Sequence, residues 1–263
     1  MLSRASRLAQ QINKQMHWQH RIKRADAFER QPPQPVPRLC PRHSLHKALQ
    51  QPVTVLAPPA HFLSTDRDVN AEAAFKGCPV SYLGAFIRRH PYTEVGDDPV
   101  PSCEALTGLF GLVPHWSPDT KITRHTSNAR SETVAEKPSF RDAWKRGQHC
   151  IIPADLIYEP DWRSGKAVAT GIARADGTPL GIAGLWSAWR SPTGETIYSY
   201  TMLTVNADGH DLMRLFHKPT DEKRMVVLLP PESYQDWLTA PVEHSMAFMR
   251  PCPAEVLQAV SAP

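Results

Sequence analysis

The chain has 263 residues, 41% hydrophobic and 21% charged, enough apolar material to bury a core as one large domain or two small ones. Its longest apolar run near the C-terminus, Met225 to Leu229, falls far short of the roughly 20 residues of a membrane span, which argues against an integral membrane protein. The formal charge of +4 comes from residues 1–39, with 8 Lys+Arg against 2 Asp+Glu; residues 40–263 are net −2, so bulk charge gives no argument for nucleic-acid binding.

Residues 1–38 are rich in Gln, Arg and Pro and end in Gln31-Pro32-Pro33-Gln34-Pro35-Val36-Pro37. Such a stretch buries too little apolar surface to offset its ordering entropy, so a disordered basic leader is expected, with a short helix around 5–15. Its Arg-rich, acid-poor composition also fits an organelle transit peptide. The remainder, 39–263, is read as a single domain. Cys40, Cys78, Cys103, Cys150 and Cys252 form no CxxC pair, which points to a reducing interior rather than a disulfide scaffold.

From about residue 105 short strands alternate with turn signals. Leu106 to Val113 and His149 to Tyr158 read as buried strands. Phe140 and Trp144, four apart, mark a helix between Pro138 and Gly147. Lys166 to Ala175, the Asp176-Gly177 turn and Leu180 to Trp186 read as a hairpin. Ser191-Pro192-Thr193-Gly194 turns the chain into a strand over Thr196 to Val205, and Arg224 to Leu229 is another. Pro231 opens a helix through Leu238; Val242 to Met249 and Ala254 to Val260 are read as two more. The expected class is α+β, a mainly antiparallel sheet or barrel-like core with peripheral helices. Neither GxGxxG nor GxxxxGK[ST] occurs, which argues against a doubly wound nucleotide-binding fold.

Several clusters could carry chemistry. Gly111-Leu112-Val113-Pro114-His115-Trp116 ends a strand in an aromatic. Asn128-Ala129-Arg130-Ser131-Glu132-Thr133 follows a loop with Lys121, Arg124 and His125. Glu159 is a carboxylate at the end of an apolar strand, and His217 precedes Arg224-Met225-Val226-Val227. Each also has an ordinary reading: Trp116 as a rim aromatic, Asn128 as a turn residue, Arg130 with Glu132 as a weak surface pair, Glu159 as an exposed strand end, His217 as a structural histidine. Cys40-x-x-His43-x-x-His46 is not an established zinc spacing, and neither metal nor cofactor is expected.

The succession GLVPHW, NARSETVAEKPSFRDAW, CIIPADLIYEPDW, IAGLW and a His ahead of RMVVLL, over about 105–240, resembles the SOS response-associated peptidase family. That resemblance implies an abasic-site processing protein that binds single-stranded DNA and cross-links to it through an N-terminal Cys, with autopeptidase and lyase-like activity, in the DNA damage response. It implies a monomer that is cytoplasmic and nucleoid-associated, with no membrane partner. By the same resemblance Cys40 is the nucleophile, Asn128 holds the Cys amine and the open sugar, Glu159 is the general acid/base, and His217 shuttles protons to the sugar oxygen. Arg42 and Arg130 would grip phosphates, and Trp116 would stack on a base.

The sequence departs from the family pattern in three places. It opens Met1-Leu2-Ser3-Arg4 with no Cys at position 2, so Leu39-Cys40-Pro41-Arg42 supplies the nearest likeness, with Cys78 as rival nucleophile. Pro160-Asp161 separates Glu159 from Trp162. Lys218 to Lys223 stretches the spacing between His217 and Arg224, with His210 as the lower-ranked alternative. The Cys40 amine would be freed by translation from the Leu39 codon or by cleavage of the Leu39–Cys40 bond. With neither, the chain would bind DNA without cross-linking; a thiol peptidase using Cys40, His217 and Asn128 is a further reading.

Overall fold

The computed structural model describes residues 83–92, 94–95, 98–99 and 101–260. The leader, Cys40, Arg42 and Cys78 lie outside them. The main sheet contains β1 (Leu83–Arg89), β4 (Cys103–Phe110), β5 (Asn128–Arg130), β6 (His149–Ala154), β9 (Leu180–Arg190), β10 (Thr196–Asn206) and β11 (Arg224–Val226). Strand order runs β11-β10-β4-β1-β6-β9, and β9 also pairs with β10, which closes a barrel. A small sheet, β12 (Leu257–Val260), β8 (Val168–Arg174) and β7 (Ile157–Asp161), lies beside it, and β2 (Glu94–Val95) pairs with β3 (Asp98–Pro99). Among the described residues three short helices, α1 (Arg141–Lys145), α2 (Tyr234–Thr239) and α3 (Val242–Ser245), complete the α+β architecture. Among the described residues no helix is long and apolar enough to cross a membrane.

β10 organises the barrel. Its β-branched and aromatic residues suit a pleated, buried surface, and its length lets it serve four partners. On one edge it carries β9 antiparallel, Thr196↔Arg190 to Met202↔Gly184, and then β11, Thr204↔Val226 to Asn206↔Arg224. On the other edge it takes β4 at Ser199↔Leu109 and β5 at Met202↔Asn128, both parallel. The sheet is thus mainly antiparallel with two short parallel pairings. β6, buried at all six positions, lies between β1 and β9. Phe86 and Phe110 pack on Tyr200 with ring centroids 5.6 and 5.5 Å apart, and Trp237 of α2 donates to the Cys150 carbonyl at 2.8 Å.

One strand is added to the sequence reading and three expectations are corrected. A strand over Leu83–Arg89 precedes the region assigned from sequence; Gly84 and Ala85 near its start give little β signal, but pairing on both sides buries it. The His149 to Tyr158 run is two strands, because the chain breaks at Asp155-Leu156 and passes from the barrel to the small sheet. Asp176-Gly177 makes its turn, with Gly177 at φ +71, yet the strands it joins belong to different sheets and form no hairpin. Ala254 to Val260 is not a helix: one 3-10 turn leads into β12, whose Leu257 pairs with Arg174, so edge pairing with β8 outweighs local helix preference.

Candidate functional site

Glu159 occupies the inward side of β7, where the Ile157–Glu159 alternation calls for an apolar residue. It is 0% exposed. The partner strand β8 fixes its register at Thr170, and the next residues of β7 recruit the histidine. Phe216 bridges to Asp161, and the His217 amide donates to the Pro160 carbonyl at 2.8 Å. His217 has φ +63, a left-handed conformation uncommon for a residue with a Cβ. There its Nε2 lies 3.1 Å from Glu159 Oε2, with the histidine 8% exposed. Among the described residues neither carboxylate oxygen, nor His217 Nε2 facing it, has a well-aligned hydrogen-bond partner, so the pair is held by proximity and charge.

Burial pushes the Glu159 carboxyl above its ordinary range, and the neighbouring imidazole only partly offsets this. Burial works in the opposite sense on His217, but the Glu159 carboxylate and the backbone of Arg224 outweigh it and raise the imidazole. The pair therefore holds a proton that ordinary carboxyl and imidazole groups would release at lower pH. A buried, proton-retaining pair of this kind is chemically suited to general acid/base work.

Asn128 and Arg130 share β5, with wholly buried Ala129 anchoring the strand between them. Asn128 turns its buried Oδ1 inward. The Arg130 side chain is 48% exposed and its Nη1 lies 2.7 Å from Glu222 Oε2. Glu222 Oε1 in turn accepts from Arg224 Nη1 at 2.7 Å. Arg224 is the hub of the region. Its guanidinium grips Glu132 through two bonds of 3.1 and 2.9 Å and reaches the Thr204 carbonyl at 2.9 Å, while its backbone meets the His217 ring. A continuous set of contacts thus joins the Glu159–His217 pair to the strand of Asn128 and Arg130. The sequence reading paired Arg130 with Glu132 and gave no role to Glu222 or Arg224; the structure instead pairs Arg130 with Glu222 and Glu132 with Arg224, and the acid–base alternation around 130–132 and 222–224 is the local trace of it.

Trp116 stands apart from these contacts, in the loop between β4 and β5. The loop closes through the Leu112 amide to the Thr126 carbonyl and is pinned by Trp189 Nε1 to the Ser117 carbonyl at 2.9 Å. Trp116 is 47% exposed, with Nε1 3.3 Å from the Pro138 carbonyl. Its ring is open to a stacking partner.

The alternatives divide clearly. His210 Nδ1 accepts the amides of Leu212 and Met213 at 3.3 and 3.0 Å, a turn-capping role. The Pro160-Asp161 interruption places Trp162 under Lys218, whose Nζ is 5.0 Å from the ring centroid. Among the described residues no thiol is a ready nucleophile: burial raises Cys103 to about 12, Cys252 to about 11 and Cys150 well above its usual value. No group of three or more metal-ligating side chains is found among them either.

The model of the SOS response associated peptidase (SRAP) family matches residues 39–262. The chain is 36% identical over 130 residues to the abasic site processing protein YoqW of Bacillus subtilis (strain 168), covering 49% of this chain and 54% of that one. It is 30% identical over 150 residues to the abasic site processing protein HMCES of Xenopus tropicalis, covering 49% and 43%. The chain spans about half the length of the curated relatives it matches. A crystal structure of a Bordetella bronchiseptica protein superposes with a TM-score of 0.62 at 53% identity, covering 69% of this chain and 84% of that one.

Proposed function

The chain belongs to the SOS response associated peptidase family, and on that premise we propose that it processes abasic sites in single-stranded DNA through a covalent cross-link to Cys40. The observation that carries this reading is the buried Glu159–His217 pair, 3.1 Å apart, whose facing carboxylate oxygens and ring nitrogen have no hydrogen-bond partner among the described residues.

The chemistry needs an amine and a thiol on one residue. An α-amine, with a pKa of about 8, is partly neutral at physiological pH and attacks the aldehyde carbon of the ring-opened sugar. Glu159 protonates the departing hydroxyl, water leaves and an imine remains. The Cys40 thiol then adds to the imine carbon, its proton passes to the nitrogen, and a thiazolidine closes with one water lost overall. His217 returns protons to the sugar oxygen, and Asn128 orients the amine and the open sugar. Arg42 and Arg130 contact flanking phosphates, and Trp116 stacks on a base. An internal Cys has an acylated nitrogen, so the working polypeptide begins at Cys40. The family match opening at residue 39 supports that assignment.

Incubation with an abasic-site oligonucleotide tests the proposal. A heat-stable conjugate is expected, lighter than its two components by one water, abolished by Cys40→Ala and retained by Cys78→Ala. Intact mass of protein made from its native gene should place Cys40 first. A protein that starts upstream, uncut, and still forms the conjugate would overturn the ring chemistry; one that binds the strand without any conjugate would be a non-catalytic binder.

A further inference from the structure

The segment between His217 and Arg224, which the catalytic reading leaves unused, brings one carboxylate to a defined place. Glu222 Oε2 faces Arg130 Nη1 at 2.7 Å. Its other oxygen, Oε1, faces Arg224 Nη1 at 2.7 Å and Asn206 Nδ2 at 3.3 Å. The two guanidinium groups differ in freedom. Arg224 is buried and held by Glu132 and Thr204 besides Glu222. Arg130 is half-exposed, and Glu222 is its one ion-pair partner among the described residues.

Carboxylate and phosphate oxygens offer the same charged acceptor to a guanidinium. We propose that Glu222 is an affinity-determining residue: its carboxylate occupies the Arg130 guanidinium in the free protein, and a DNA phosphate displaces it. The inference rests on the reading of Arg130 as a phosphate contact. The exchange is balanced. Arg130 trades one anion for another, and Glu222 keeps Arg224 and Asn206 through Oε1, so release leaves no charge without a partner. The retained negative charge still faces the incoming phosphate and lowers affinity. Binding is thereby limited where Arg130 has no well-placed phosphate, and the strand is released more readily.

Fluorescence anisotropy with a short undamaged single strand and the full chain tests this. Exposed ion pairs contribute about 0.2–1 kcal/mol, so removing the competitor with Glu222→Gln or Glu222→Ala should tighten binding by about 1.4- to 5-fold. The gain should vanish in an Arg130→Ala background. Thermal melting of each variant establishes that the fold is kept. Weaker binding by both folded Glu222 variants would mean that the carboxylate merely positions Arg130, and would overturn the competition while leaving the phosphate contact standing. Unchanged affinity on Arg130→Ala alone would overturn both.

Discussion

Glu159 and His217 come from segments 58 positions apart in sequence, yet meet at 3.1 Å with almost no access to water. The left-handed turn at His217 and the hydrogen bond its amide donates to the Pro160 carbonyl aim the ring at the carboxylate. Glu159→Gln keeps the shape and removes the proton exchange. It should slow cross-link formation by about 10²- to 10⁴-fold, the usual share of general acid/base catalysis, while single-strand affinity and circular dichroism stay near wild type. A cross-linking rate within a few-fold of wild type would remove Glu159 from the chemistry.

The same pair predicts an alkaline limb of stability. His217 binds its proton more tightly in the folded chain than a free imidazole at 6.5. That contribution is fully present below pH 6.5 and is lost as pH rises through the folded value. Glu159, raised above 4.5, acts in the same direction. Urea unfolding across pH 6 to 9 should show falling stability in wild type and a flatter profile in Glu159→Gln. A wild-type profile that is level or rising over that range contradicts the assignment.

His149 predicts the acid limb with the opposite sign. It stacks on Trp237 with centroids 4.0 Å apart, and its Nε2 lies 3.1 Å from Ser245 Oγ. Burial lowers it from 6.5 to about 4. The neutral form is therefore favoured by folding; its contribution is present above pH 6.5 and disappears as pH falls toward 4. At 1.36 kcal/mol per unit this amounts to at most about 3 kcal/mol. His149→Phe, which keeps the stack, should flatten the profile between pH 6.5 and 4, and an unchanged acid limb would place its origin elsewhere.

Arg224 carries the structural part of the site. Arg224→Ala leaves Glu132 and Glu222 facing each other without their shared cation and strips Thr204 of two contacts. A loss of about 2–4 kcal/mol is expected in urea unfolding. Arg224→Lys should recover only part of it, because a point charge cannot make the two-bond grip on Glu132. Full recovery by Lys would show that charge alone matters there.

These predictions separate what local sequence could carry from what it could not. Glu159 drew notice as a carboxylate at the end of an apolar strand, but its role came from the family resemblance and the strand-end reading missed its complete burial; β10 was legible because its β-branched texture lies between a clear turn and a clear end. The Asp176-Gly177 turn was legible as a turn, but nothing local says whether its strands pair with each other. The grip of Arg224 on Glu132 and of Glu222 on Arg130 was out of reach for a different reason: each pair spans 92 positions and depends on β5 and β11 flanking the same strand.

Trp116 gives the cleanest test of the binding face, because its exposure separates binding from folding. Half its surface is open, and one bond at 3.3 Å to the Pro138 carbonyl steadies the indole. The loop beneath it is held independently: Trp189 bonds Ser117, and Gly111, at φ +107, lets the chain pass against the Thr123 backbone where a Cβ would collide. Trp116→Ala should leave the melting temperature within a degree or two, on the order of a neutral surface change. It should weaken single-strand binding by about 1–3 kcal/mol, the range for one lost base stack. Trp116→Phe should retain part of the affinity, since any aromatic face can stack. Gly111→Ala should lower the melting temperature and weaken binding together, because it displaces the loop rather than the ring. If Trp116→Ala bound the strand as tightly as wild type, the indole would be a rim aromatic, and the base path would have to run elsewhere on this face.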